Sequence, residues 1–203
     1  MSRDKIGIMG GTFDPIHIGH LIIAEEAREF LNLEEVIFIP TGKPPHKKSS
    51  GITSSLHRYN MTELGIKSNS NFSISAIEVE NSSTTYTIDT IEKLRKTYKN
   101  TQFFFIIGGD SIINIHKWKD YKDLLKSCNF LVAKRAGSPD EEVKNIINKL
   151  NRIYGKVIYE VPIPYIDISS TEIRSKVMKN KSIKYYVPMD VEEYIKNKNL
   201  YKG

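Results

Sequence analysis

Two histidines, His17 and His20, stand three residues apart shortly after a pair of glycines. The string runs Gly10-Gly11-Thr12-Phe13-Asp14-Pro15-Ile16-His17-Ile18-Gly19-His20. Glycine lets the backbone turn tightly and lets a ligand approach main-chain N–H groups. A helix beginning near Gly19 would point its unpaired N–H groups and its positive dipole end at whatever sits above the turn. At i and i+3 the two imidazoles can share one side of that helix. Such a pair beside a helix N-terminus suits a phosphate whose charge grows in a transition state. Solvated rings in an ordinary turn are the plainer reading. A zinc site is a third, and it lacks an evident third ligand nearby.

Five further segments carry residues with chemical potential. Ser169 and Glu172 have capping-box spacing, which by itself marks an ordinary helix start. Arg174, one turn in, would add a planar bidentate donor for an anion at the same helix end. The loop containing Lys43 and His46 follows the second strand-like run, where a parallel sheet would place it near ligands. It also reads as a solvated, charged loop. Gly108-Gly109-Asp110 follows an apolar strand, so Asp110 would either meet a ribose hydroxyl or cap the next helix. Thr87 is a plausible N-cap. Trp118, the single tryptophan, has the polar neighbours His116, Lys117, Lys119 and Asp120. They suit a ring exposed at a pocket, although core packing is the commoner use of a lone tryptophan.

The elements that must position these residues are legible as apolar runs. Strand-like stretches fall at 6–9, 36–40, 72–77, 103–107, 130–133 and 157–161. Helical periodicity links Ile23, Ala27, Phe30 and Leu31, then Ile88, Ile91, Leu94 and Tyr98, then Val143, Ile146, Ile147 and Leu150. Strands alternating with helices predict an α/β fold with a parallel sheet covered on both faces. The run 103–107 lacks polar alternation and reads as a central strand. Helices are expected at 170–179 and 191–198. The simplest organisation is a single domain over 1–203 with a helical C-terminal subregion from about 170 to 203.

Bulk properties narrow the function classes. The chain has 203 residues, 39% hydrophobic and 27% charged, enough for one sizeable core. Its net charge of +6 fits either a lysine-rich surface or attraction of a polyanionic substrate such as a nucleotide. The lysines are spread along the chain, and basic and aromatic stripes do not interleave, which disfavours nucleic acid. The single cysteine, Cys128, excludes an internal disulfide and reads as a buried, inert thiol at a helix-to-strand junction. No apolar stretch is long enough for a membrane span, and no signal peptide is evident, so the cytoplasm is the expected compartment.

The string from Gly10 to His20 resembles the signature of the nucleotidyltransferase superfamily marked by (His/Thr)-x-Gly-His. Within it the chain closely resembles the bacterial nicotinate-nucleotide adenylyltransferases, nearly from end to end. The resemblance implies a Rossmann-like doubly wound parallel sheet with a small helical C-terminal subdomain. It implies transfer of the adenylyl group of ATP to nicotinate mononucleotide, with Mg2+ accompanying ATP. His17, His20 and Arg174 are implied as catalytic. ATP binding is implied for Gly10, Gly11, Thr12, Phe13, Gly108, Asp110, Ile168, Ser169, Ser170 and Thr171, with Lys43 and His46 neutralising phosphates. Tyr86, Thr87, Trp118 and Lys119 are implied to hold the nicotinate nucleotide. Two positions depart from the family's usual pattern, Gly109 for an alanine and Lys119 for a tyrosine. The resemblance leaves open a homo-oligomer, another acceptor such as nicotinamide mononucleotide or phosphopantetheine, and a nucleotide-sensing module without turnover.

Overall fold

The computed structural model describes residues 4–43, 51–81, 83–135 and 141–202. Strand β1 (Asp4–Gly11) leads into helix α1 (Ile18–Leu31), followed by β2 (Glu35–Pro40), α2 (Ser55–Ile66) and β3 (Phe72–Ile74). Next come α3 (Thr87–Thr97), β4 (Thr101–Gly108), the short α4 (Gly109–Ile113) and α5 (Tyr121–Ser127). The chain closes with β5 (Asn129–Arg135), α6 (Glu141–Tyr154), β6 (Ile158–Ile163), α7 (Ser170–Met178) and α8 (Met189–Asn197).

The strands form one six-stranded sheet in the order β3-β2-β1-β4-β5-β6. Pairing of β1 with β4, β4 with β5 and β5 with β6 is parallel, with Ile8 opposite Phe105 and Phe105 opposite Phe130. This is the α/β sheet that the alternating pattern predicts, in the Rossmann-like form that the resemblance implies. β4 lies between two parallel neighbours, and Phe103 to Ile107 are all buried. The winding reverses at β1 and β4, and ligands of such sheets gather beyond the carboxyl ends at that point. Gly10 and Gly108 stand at those ends.

The chain divides into two compact units. One comprises Met1–Gly10, Ile23–Ile37 and Tyr86–Tyr165, and the other Gly11–Ile22, Phe38–Thr85 and Ile166–Gly203. In the first, Val143, Ile147 and Leu150 form the buried stripe of α6, and Ile88, Ile91 and Leu94 that of α3, as their spacing predicts. Asn151 ties α6 to β6, accepting from the N–H groups of Val157 and Ile158 and donating to the Ile158 carbonyl. In the second, α2 contacts α8, and Gly65 of α2 leaves room for Ile16 and Val191.

Three sequence expectations need correction. The third strand ends at Ile74 rather than at 77. Ser75 makes a last bond to the Phe38 carbonyl, and then the chain closes a turn in which Glu80 N–H reaches the Ala76 carbonyl. In α1 the buried positions are Gly19, Ala24 and Ala27, while Phe30 is 46% exposed. Small residues let that helix sit close, so the bulky ring falls at the edge of its buried stripe. Thr87 does not cap α3. The cap position is Tyr86, in extended backbone, with no side-chain cap bond, and Thr87 is the first helical residue.

Candidate active site

The two histidines meet at the start of α1. His17 accepts from the N–H of His20 at 2.9 Å, so its carbonyl opens the helix. The His17 N–H in turn donates to Nδ1 of His20 at 3.2 Å. His20 therefore does what the acidic residue of a capping box does, reaching back three residues to an orphan N–H. That bond fixes the neutral His20 ring with Nδ1 as acceptor and the proton on Nε2. The rings stack at 3.6 Å between centroids, tilted by 25°. Phe13 meets the His20 ring edge-on at 5.1 Å.

This arrangement decides the charge state. Burial pushes the His17 pKa down from 6.5 to about 4. His20 is pushed well below the ordinary value, first by burial and then by its neighbour His17. The positive end of α1 acts in the same direction, since it favours a neutral ring over a cation. At neutral pH the pair is thus two uncharged imidazoles, and His20 offers an Nε2–H donor. Among the described residues Nδ1 of His17 has no hydrogen-bond partner. It packs over Gly19, where a Cβ would lie 3.1 Å from Nδ1 and 3.2 Å from the adjoining ring carbon. The glycine of the His-x-Gly-His motif therefore gives that ring its place, since a side chain there would make the ring shift.

Arg174 lies beside the same turn. Its guanidinium donates to the Asp14 carbonyl at 2.7 Å and to the Thr171 hydroxyl at 3.3 Å. Ser169 caps α7, its Oγ accepting from the Glu172 N–H at 3.1 Å, as the spacing predicts. The return half of that box is replaced, since the Glu172 carboxylate lies 3.9 Å from Lys176. Ser170 donates to the Pro15 carbonyl at 2.9 Å. The hydroxyls of Ser169, Ser170 and Thr171 are thus engaged within the protein. What this helix start offers an anion is its main-chain N–H groups and the guanidinium. Ile168 is half-buried and Lys43 is exposed. His46 lies outside the described residues.

Three residues missed by sequence reading organise this turn. Arg58 is 1% exposed and spends its guanidinium on four carbonyls. It donates to Thr12 at 2.7 Å, Thr41 at 2.5 Å, Gly42 at 3.0 Å and Thr53 at 3.0 Å. Burial lowers its pKa, and the charges of Asp14 and Glu78 act to raise it. A signal was present, because Arg58 shares the buried stripe of α2 with Met61, Thr62 and Gly65. Asp14 and Tyr201 are joined by a 2.7 Å hydrogen bond across 187 positions, which no local pattern records.

The other unit holds a second group. The Lys119 ammonium lies 3.2 Å from both oxygens of Asp89 and 4.7 Å from the centre of the Tyr86 ring. Trp118 is half-buried, edge-on to Phe105 at 6.0 Å, so it is not a fully enclosed core residue. Asp110 is exposed as the second residue of α4, whose cap position is Gly108, so it does not cap that helix. A side chain added at Gly108 would meet no atom within 4 Å, so packing does not demand a glycine there. Cys128 is buried at the α5–β5 junction, its thiol pushed up to about 12 by burial and therefore inert at neutral pH.

Comparison with known proteins agrees with this geometry. Residues 8–176 match the cytidylyltransferase-like family. A probable nicotinate-nucleotide adenylyltransferase of Thermoanaerobacter sp. (strain X514) is 47% identical, the match covering 100% of this chain and 97% of that protein. One of Moorella thermoacetica is 43% identical over 98% of this chain and 92% of its own length. The structure of Plasmodium falciparum nicotinic acid mononucleotide adenylyltransferase complexed with NaAD superposes with a TM-score of 0.79 at 25% identity, covering 98% of this chain and 97% of that one. With the family match over most of its length and close relatives over all of it, this chain belongs to the cytidylyltransferase-like family and, within it, to the nicotinate-nucleotide adenylyltransferases.

Proposed function

We propose that this chain transfers the adenylyl group of ATP to nicotinate mononucleotide, giving nicotinate adenine dinucleotide and pyrophosphate. The observation that carries this reading is the stacked, neutral His17–His20 pair capping α1 beside Arg174, in a chain of this family. The phosphate of the mononucleotide is already ionised at neutral pH and needs no activated side chain. One of its oxygens bonds to the α-phosphorus of ATP as the α–β bridging bond breaks, and pyrophosphate leaves with that electron pair. Catalysis is then positioning and charge stabilisation.

In this reading the Nε2–H of His20 donates to the phosphate group under attack, and His17 faces the α-phosphate and bridging region. Neither ring supplies a full positive charge in the free enzyme, so neutralising the triphosphate falls mainly to Arg174, Lys43 and the N-terminus of α7. His46 is assigned the same task. Gly10, Gly11, Thr12, Phe13, Gly108, Asp110 and Ile168 are assigned to the ATP, and Tyr86, Thr87, Trp118 and Lys119 to the nicotinate nucleotide. Among the described residues no three His, Cys, Asp or Glu side chains gather where they could hold a metal ion. Magnesium is read as part of the substrate, arriving with ATP. No helix among the described residues is long and apolar enough to cross a membrane.

The test is pyrophosphate release from ATP and magnesium with nicotinate mononucleotide or its amide. Strong preference for the acid supports the reading. Equal rates would make the enzyme dual-specific, and no release with either would overturn it.

A further inference from the structure

Asp14 is a buried carboxylate inside the His17–His20 turn, and the phosphate chemistry leaves it unused. It is 4% exposed. Oδ1 accepts from the Tyr201 hydroxyl at 2.7 Å, and Oδ2 from the Thr53 N–H at 3.2 Å. Its main-chain carbonyl takes the Arg174 guanidinium. Each neighbouring point of the turn is likewise held from elsewhere in the same unit. Arg58 holds the Thr12 carbonyl, Ser170 the Pro15 carbonyl, and the Tyr186 carbonyl accepts the Ile18 N–H at 2.9 Å.

Between these anchors the chain has little slack. Phe13 sits at φ 47, a left-handed backbone that an aromatic residue seldom adopts and that persists only where its surroundings hold it. Only Pro15 and Ile16 separate Asp14 from His17. The proline ring fixes its own φ, and Ile16 is fully buried against Gly65. A displacement of Asp14 is therefore passed to His17, and through their stacking to His20. The Tyr201 phenol is half-buried, and desolvation together with the Asp14 carboxylate pushes its pKa up, so it remains a donor at any working pH.

We propose that Tyr201 is a positioning residue for adenylyl transfer, its hydroxyl acting through Asp14 to set where His17 and His20 meet the phosphates. This rests on the adenylyltransferase reading above. Tyr201→Phe keeps the ring and removes only the donor. A shift of a fraction of an ångström is expected to lower kcat about tenfold, short of the ~10²-fold that a full ångström costs. KM for both substrates should stay within about twofold, because the interaction lost matters chiefly in the transition state.

The experiment measures steady-state pyrophosphate release and thermal midpoint for wild type, Tyr201→Phe, Asp14→Ala, which removes the acceptor, and the double variant. Acting as a unit, the pair should make the double variant no slower than Asp14→Ala alone. Lys202→Ala, at an exposed neighbour whose ammonium donates to Asn199, should keep wild-type kcat. Multiplying effects, or a Tyr201→Phe kcat within about twofold of wild type, would overturn the proposal. The ring C–H resonances of His17 and His20 give a readout without turnover. They should move in Tyr201→Phe and stay fixed in Lys202→Ala, and unmoved signals in Tyr201→Phe would also overturn the proposal. A wild type without activity would sink the adenylyltransferase reading, while these resonances would still decide whether Tyr201 positions the histidines.

Discussion

Acid should weaken this fold through His17, by an amount the site geometry sets. An ordinary imidazole ionises near 6.5, whereas the buried His17 ring does so only at about 4. Above 6.5 the ring is neutral in both the folded and unfolded chain, and it contributes no pH dependence. As the pH falls through 6.5 the unfolded chain takes up a proton that the fold refuses, so the unfolded state gains. The loss grows until the folded ring itself titrates, at about 4, and then levels off. At about 1.4 kcal/mol per pH unit, the gap amounts to about 3 kcal/mol. That is a large part of a typical net stability of roughly 5–15 kcal/mol. Urea unfolding of wild type and His17→Asn across pH 7 to 4 tests it, because the carboxylates titrate in both and largely cancel in the difference. The variant should gain on wild type by about 3 kcal/mol over that window, and by somewhat more where removing His17 also relaxes His20. A difference between the two proteins that stays flat with pH would refute the claim that His17 is held neutral by burial.

Three other variants bear on the same turn. His20→Ala should lower kcat by about 10²-fold, the usual cost of one transition-state donor, and near-normal turnover in a folded variant would remove that role. It should also cost about 1 kcal/mol in thermal or urea stability, because the His17 N–H loses its cap. Gly19→Ala places a methyl 3.1 Å from His17 Nδ1, so the ring must shift by a few tenths of an ångström. Alanine favours a helix over glycine by up to about 1 kcal/mol, so stability should change little while kcat falls, and an unchanged kcat would count against the ring's position. Arg58→Met strands the carbonyls of Thr12, Thr41, Gly42 and Thr53. At roughly 1–3 kcal/mol for each hydrogen bond lost from a charged donor to these half-buried carbonyls, the urea midpoint should fall sharply, and a loss under about 1 kcal/mol would contradict the hub.

Much of this protein is written locally. The periods of apolar residues mark the strands and the buried stripes of α3 and α6, because a side chain's direction depends on its position within its own element. The unalternating run in β4 announces a strand with parallel neighbours on both sides. The i, i+3 spacing of Ser169 and Glu172 announces a helix start, since capping bonds join residues a single turn apart, and that of His17 and His20 puts two rings on one side of a helix. Tertiary structure decided what such short-range rules cannot contain. It set the protonation of the two histidines, because burial is supplied by distant parts of the chain. It exposed Phe30, ended β3 early, and engaged the hydroxyls of Ser169, Ser170 and Thr171 within the protein. It also brought Arg174 to Asp14 across 160 positions and Tyr201 to the same residue across 187. A hydrogen bond depends on distance in space, and no spacing along the chain encodes a contact that only the folded sheet and its covering helices create.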